Sequence, residues 1–238
     1  MKISVVIPMY NEEKIIKDTA QQMHRYMTEK FGDDFEVLFS NDGSLDNSAE
    51  AVRSLNLSGI KVVGYDKNRG KGCAVRTAML EASGDFIMFT DADLAYGTEV
   101  VGKLYESYLN SEGADVIIGS RNIDNKGYSD YTFIRKIMSK TYIKIVCIFG
   151  GFKISDSQCG CKGFANAAAK KIFSNCEIDG FAFDLEALML ASKMKMKIAE
   201  VPVKIINHRE SKVNIVKDTF KMLSDLRRIK KRVRKLDI

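Results

Sequence analysis

Apolar and polar positions along the first half of the chain switch repeatedly between two periods. KISVVIP (Lys2–Pro8) is a nearly continuous β-branched run, the pattern of a strand buried on both faces of a parallel sheet. EEKIIKDTAQQMHRYM follows at helical spacing, with Asn11 expected as its N-cap and acids in its first turn, where the helix dipole favours them. DFEVLFS predicts a second strand, NDGS a turn and NSAEAVRSLN a short helix. GIKVVGY predicts a third strand, GKGCAVRTAMLEAS a helix stopped by Gly84, and DFIMFT a fourth strand. The helix TEVVGKLYESYLN and the strand ADVIIGS complete the series. Strands alternating with helices over short connections predict a doubly wound, mostly parallel α/β sheet with helices on both faces.

The second half has a different texture. TFIRKIMSKTYIKIVCIFGGF (Thr132–Phe152) is apolar at helical spacing with interspersed Arg135, Lys136, Lys140 and Lys144. The polar stretch SDSQCGCKGF, the helix NAAAKKIF, the loop CEIDGFAFD and the helix LEALMLASKM come next. A strand, KIAEVPVKI, and a basic helix from about Ile215 end the chain. No repeat and no Pro/Ser linker interrupts it. The expectation is one domain over residues 1–238, with a ligand-binding half (1–125) and a helical elaboration (126–238).

Composition sharpens this in three places. With 45% apolar residues in 238, the chain can bury a full core. The net charge of +6 is concentrated in LRRIKKRVRK (Leu226–Lys235), which suits an anionic surface; a solvated helix face is the plain alternative. Aromatic residues do not interleave with this run, which disfavours a nucleic-acid stacking surface. The five cysteines are odd in number and lack zinc-finger spacing, so they are expected as reduced thiols in a cytosolic protein. No apolar run reaches the ~18 residues of a membrane span, and no signal peptide is expected. The stretch Phe133–Phe152 could instead lie on a membrane surface or pack in the core.

In a doubly wound sheet the ligand site lies beyond the carboxyl ends of the strands. The polar clusters fall there: Tyr10-Asn11-Glu12, Asp42-Gly43-Ser44, Asp66, Asp91/Asp93 and Arg121. Asp91 and Asp93, in FTDADLAY, offer two hard oxygen ligands, which suit Mg2+ or Mn2+ completed by substrate phosphates; a turn or cap pair is the alternative. Asp42 could bond a ribose or base edge, although Asp-Gly is also a common turn. NRGKGCAVRTA places glycines, Arg69 and Lys71 before a helix, resembling a phosphate cradle but matching neither the P-loop nor the dinucleotide fingerprint.

The order of these pieces is more specific than any one of them. SVVIPMYNEE, NDGS, the GKG-AVR segment, DAD, ADVIIGSR, SDSQCGCKGF, GFAFDLEALMLASKMKMKIAEVPV and HRESKVN together resemble family 2 glycosyltransferases with the GT-A (Rossmann-like) fold. The resemblance is to the branch that glycosylates polyprenyl phosphates, which includes the dolichyl-phosphate glucosyltransferases, the dolichyl-phosphate mannose synthases and bacterial relatives. It spans nearly the whole chain and leans to the glucosyltransferase side.

It implies that Pro8, Tyr10, Asn11, Glu12, Asp42 and Asp66 line the nucleotide pocket and that Lys71 approaches the donor diphosphate. It implies Asp91 and Asp93, flanking Ala92, as metal ligands for Mg2+ or Mn2+, with Asp156 and Gln158 by the sugar. Arg121 and Arg135 would grip the acceptor phosphate, for which the guanidinium fork is suited. Arg209, Ser211 and Lys212 would lie on a loop closing over the donor phosphates. Asp184 is either a general base, needed only for a hydroxyl acceptor, or the N-cap of the helix after it. Asn41, Ser157 and Cys161 stand where the family commonly has an acid, Thr and Phe, and Ala95 offers no further metal ligand.

The function expected is inverting transfer of a hexose, glucose from UDP-glucose by preference, to a polyprenyl or dolichyl phosphate. The chain would act peripherally on the cytoplasmic face of a membrane, with a homo-oligomer or separate membrane partner left open. Transfer to a saccharide hydroxyl in capsule or cell-wall synthesis is the rival activity. A non-catalytic nucleotide-binding or membrane-adaptor protein is the rival class.

Overall fold

The computed structural model describes residues 2–123, 143, 146–147, 150–207 and 215–238, with side-chain surroundings in the last segment from Asp225 onward. Seven strands form one sheet: β1 (Ile3–Met9), β2 (Phe35–Asp42), β3 (Ile60–Tyr65), β4 (Phe86–Phe89), β5 (Val116–Ser120), β6 (Lys162–Ala165) and β7 (Ile198–Pro202). Their spatial order is β3-β2-β1-β4-β6-β5-β7. All neighbouring pairs are parallel except those of β6, which runs antiparallel to β4 and β5. The described helices are α1 (Glu13–Phe31), α2 (Ser48–Arg53), α3 (Lys71–Glu81), α4 (Glu99–Asn110), α5 (Asn166–Phe173), α6 (Phe183–Lys193) and α7 (Ile215–Lys235).

Strand alternation divides the core between the two sheet faces. Ile3, Val5, Ile7, Val37, Phe39 and Met88 pack with Ile16 and Met23 of α1 and with Val101 and Leu104 of α4. Val6, Leu38, Ile87, Phe89 and Ile118 pack on the other face with Val75 and Met79 of α3, Ile172 of α5 and Leu188 of α6. Leu226, Ile229 and Val233 of α7 join that second cluster, so the basic helix buries a stripe at helical spacing. Of Phe133–Phe152, the described Val146 and Phe152 are buried in the same cluster.

Three local expectations are corrected. The stretch SDSQCGCKGF contains a strand, β6, which enters the sheet between β4 and β5 with Lys162 opposite both Phe89 and Ile118. Asn11 does not cap α1: Glu12 holds the cap position without a side-chain cap bond, and Asn11 sits at φ 53°. Its side-chain oxygen instead accepts the Leu45 N–H at 2.8 Å, tying the β1 and β2 exits together. Asp184 is not an N-cap, since it lies inside α6 behind Ala182.

The chain leaves β1 toward β2 and β3 and returns to β4 on the other side of β1. The crevice between the carboxyl ends of β1 and β4 is therefore the topological switch point, where such sheets bind ligands.

Candidate active site

Asp42 ends β2 with 3% exposure. Its carboxylate accepts the Tyr65 hydroxyl at 2.7 Å, the Asn68 side-chain amide at 2.9 Å, and the Arg69 and Gly70 N–H groups at 2.8 and 2.9 Å. It thus organises the loop after β3. Gly43, at φ +64°, makes room for that loop, since a Cβ there would fall 2.5 Å from the Asn68 nitrogen. Asp66 is exposed at the start of the loop, Pro8 is buried in β1, and Tyr10 stands 39% exposed at the crevice mouth. Tyr10, Asn11, Glu12, Asp42 and Asp66 therefore gather at one edge of the sheet, as the pattern of strand ends predicts.

The glycine-rich approach to α3 is closed as an amide cradle. The Gly72 and Cys73 N–H groups donate to the Asp179 carbonyl at 2.8 and 3.2 Å. The Asp179 carboxylate in turn pairs with Arg69 and Arg76 at 3.2 and 2.5 Å. What the segment contributes to the crevice is the Lys71 side chain, whose ammonium donates to Asp91 Oδ1.

Asp91 and Asp93 lie on the loop leaving β4. Asp93 accepts the Ala95 N–H at 3.1 Å, and the Gly160 backbone packs against Asp91. Behind them Lys162, with no exposure, donates to the Cys159 carbonyl at 2.7 Å and to Asp184 Oδ1 at 3.0 Å. Lys162 also lies 5.6 Å from the Phe89 ring centre. The charges thus alternate from Lys162 through Asp184 and Lys71 to Asp91. Burial pushes the Asp184 carboxyl up, and the Lys162 and Lys71 ammonium groups only partly oppose it. Burial pulls the Lys71 ammonium down, but Asp91 and Asp184 outweigh it and leave its pKa raised.

Arg121, just past β5, grips Asp156 in a fork: Nε to Oδ2 at 2.7 Å and Nη2 to Oδ1 at 3.0 Å. Asp156 is 1% exposed and also accepts the Gln158 N–H at 3.1 Å. Burial raises the Asp156 pKa, yet Arg121 more than compensates and holds it below the usual carboxylate range. Gln158 is exposed beside this pair. Arg135, Arg209, Ser211 and Lys212 lie outside the described residues.

Sequence reasoning missed Lys162, Glu186 and Arg232. Glu186 has no exposure and accepts the Glu177 and Ile178 N–H groups at 2.8 and 2.7 Å and Arg232 Nη1 at 2.6 Å. Arg232 therefore clips α7 to α6 and to the loop that closes α3. Of the other basic residues in the run, Arg227, Lys230, Lys231, Arg234 and Lys235 line one depression on the outer side of α7, and Arg228 pairs with Asp225 at 3.6 Å.

Two carboxylates on one loop, already attracting an ammonium group, are a hard-oxygen donor set that fits Mg2+ or Mn2+. Among the described residues no group of three or more His, Cys, Asp or Glu could hold a metal, so the remaining ligands would come from phosphate and water. The five cysteines are free, with the Cys159 and Cys161 sulfurs 3.4 Å apart.

The family model for glycosyl transferase family 2 matches residues 4–173. A dolichyl-phosphate beta-glucosyltransferase of Saccharomyces cerevisiae is 33% identical over 242 residues, covering 94% of this chain and 72% of its own. One from Dictyostelium discoideum is 30% identical, covering 96% and 73%. Among solved structures, glucosyl-3-phosphoglycerate synthase from Mycobacterium tuberculosis, in complex with Mn2+, UDP and phosphoglyceric acid, superposes with a TM-score of 0.71. At 18% identity it covers 98% of this chain and 78% of that one, a likeness of fold.

Proposed function

The chain belongs to glycosyl transferase family 2, and on that premise we propose that it transfers glucose from UDP-glucose to a polyprenyl phosphate with inversion at the anomeric carbon. The observation that carries the reading is the cluster of Lys71, Asp91 and Asp93 at the switch point, with the Arg121–Asp156 fork beside it. The names of the relatives supply the acceptor class, dolichyl phosphate.

The chemistry asks little of a base. A phosphate acceptor is already an anion near pH 7, so its oxygen can attack the sugar carbon as the diphosphate leaves from the opposite face. The task is to place two anionic groups together and stabilise the departing one. Asp91 and Asp93 would hold Mg2+ or Mn2+, which when bound supplies a Lewis acid for the leaving diphosphate. Lys71 would bind the donor diphosphate, and Tyr10, Asn11, Glu12, Asp42 and Asp66, with Pro8 beneath, would border the nucleoside. Arg121, oriented by Asp156, and Arg135 would receive the acceptor phosphate, while Gln158 borders the sugar and Arg209 and Lys212 cover the phosphates. Asp184, held by Lys162, would orient Lys71; with a hydroxyl acceptor it would serve as base.

No helix among the described residues is long and apolar enough to cross a membrane. The outer face of α7 would instead contribute peripheral attachment to a cytoplasmic leaflet, at roughly 1 kcal/mol per basic residue near an anionic surface.

A thermal-shift panel of UDP-, GDP- and dTDP-sugars, with and without Mn2+, tests the donor assignment. UDP-glucose with Mn2+ is expected to raise Tm, because ligand at about 100 times Kd stabilises by about 2.7 kcal/mol. Stabilisation by GDP- or dTDP-sugars alone would overturn it.

A further inference from the structure

At the donor site the carboxylates are fixed and the lysine is the movable part. The Gly160 backbone backs Asp91 so closely that a Cβ there would fall 2.0 Å from Asp91 Oδ2. Asp184 is held by the fully buried Lys162. The start of α3 is fastened by the Asp179 carbonyl, which accepts the Gly72 and Cys73 N–H groups next to Lys71. Only the four-carbon stem of Lys71 is free to rotate its ammonium among several anions. That ammonium now stands on Asp91, with Asp184 and Asp93 also acting on it.

A divalent ion on Asp91 therefore competes with Lys71, and a diphosphate competes with Asp91 for Lys71. Two ammonium groups face three carboxylates in this cluster, so an ion arriving alone would leave Lys71 without its strongest partner. A diphosphate arriving with the ion offers Lys71 a replacement. We propose that Lys71 is a placeholder cation whose exchange from Asp91 to the donor diphosphate couples metal binding to nucleotide binding. The inference rests on the proposed function, because it takes a nucleoside diphosphate as the ligand. Linkage makes the coupling reciprocal: the ion tightens the nucleotide by the factor by which the nucleotide tightens the ion.

The test is Mn2+ binding to the full chain, followed by the loss of the free-ion electron paramagnetic resonance signal, with and without UDP. Wild type is compared with Lys71→Met and Lys71→Gln, each first checked for an unchanged melting temperature. In wild type UDP is expected to tighten Mn2+ by about tenfold or more, within the usual range of coupling between sites. In both variants Mn2+ alone is expected to bind more tightly than to wild type, and the UDP effect is expected to fall below the wild-type value to what direct ligation of the ion by the diphosphate supplies. Equal enhancement by UDP in wild type and variants would overturn the placeholder role while leaving nucleotide-sugar chemistry standing. Wild-type protein that binds neither Mn2+ nor UDP would overturn both.

Discussion

Replacing Asp156 by Asn keeps the size of the side chain and removes one charge of the Arg121 fork. Asp156 is 1% exposed and the Arg121 side chain 15% exposed, so the pair is poorly screened by water. Two unit charges ~4 Å apart attract by about 4 kcal/mol at an effective dielectric near 20. Desolvation offsets much of that gain, so the intact pair adds little net stability. Breaking it from one side is different: the guanidinium stays buried without its partner, a loss of about 3–5 kcal/mol. Asp156→Asn should therefore lower the urea midpoint at pH 7 with little change in slope. Arg121→Met should also destabilise, less severely if the stranded carboxyl takes up a proton. The double variant should be more stable than the sum of the single losses predicts, by about 1–3 kcal/mol of coupling. Additivity within about 0.5 kcal/mol would refute the reasoning. A stable double variant that transfers no sugar would separate the pair's structural role from its work on the acceptor.

Other expectations follow from separate parts of the molecule. Glu36 is buried, which raises its pKa, but bonds from the Ser83 backbone, Ser4, Ser83 and Lys61 outweigh this and bring it to about 2. A pKa held that far below the ordinary value stabilises the fold above the unfolded carboxylate range. That contribution, about 3 kcal/mol, should be lost as pH falls from about 5 toward 2, and acid unfolding of Glu36→Gln should lack it. Gly160→Ala should displace Asp91 and lower kcat/KM by about 100-fold with the far-UV spectrum unchanged, since misplacement by about 1 Å commonly costs that much. Arg232→Met should strand the buried Glu186 and destabilise by about 3 kcal/mol, read by chemical denaturation.

The doubly wound half was legible because each of β1 to β5 carries a dense apolar run ended by polar or glycine residues, and α1 and α4 between them carry a clear helical period. The candidate ligands were legible for the same reason: a strand end is a place on the sheet edge, and Tyr10 follows β1, Asp42 ends β2 and Asp91 lies two residues past β4. β6 was not legible. It is four residues long, begins with a lysine and contains a glycine, and its strand character comes wholly from neighbours distant in the chain. Lys162 was hidden by the same fact, since a lysine is ordinarily exposed unless a partner such as Asp184, 22 residues away, accompanies it inside. Asn11 and Asp184 have residue types common at helix starts, and only tertiary contacts divert one to Leu45 and the other to Lys162.

Transfer of glucose to a lipid phosphate can be measured directly. The direct measurement incubates the protein with radiolabelled UDP-glucose, Mn2+ and undecaprenyl or dolichyl phosphate, then counts sugar extracted into organic solvent. Wild-type protein is expected to give lipid-linked glucose, and Asp93→Ala none above background. Transfer to a saccharide with no lipid-linked sugar from any donor would contradict that expectation.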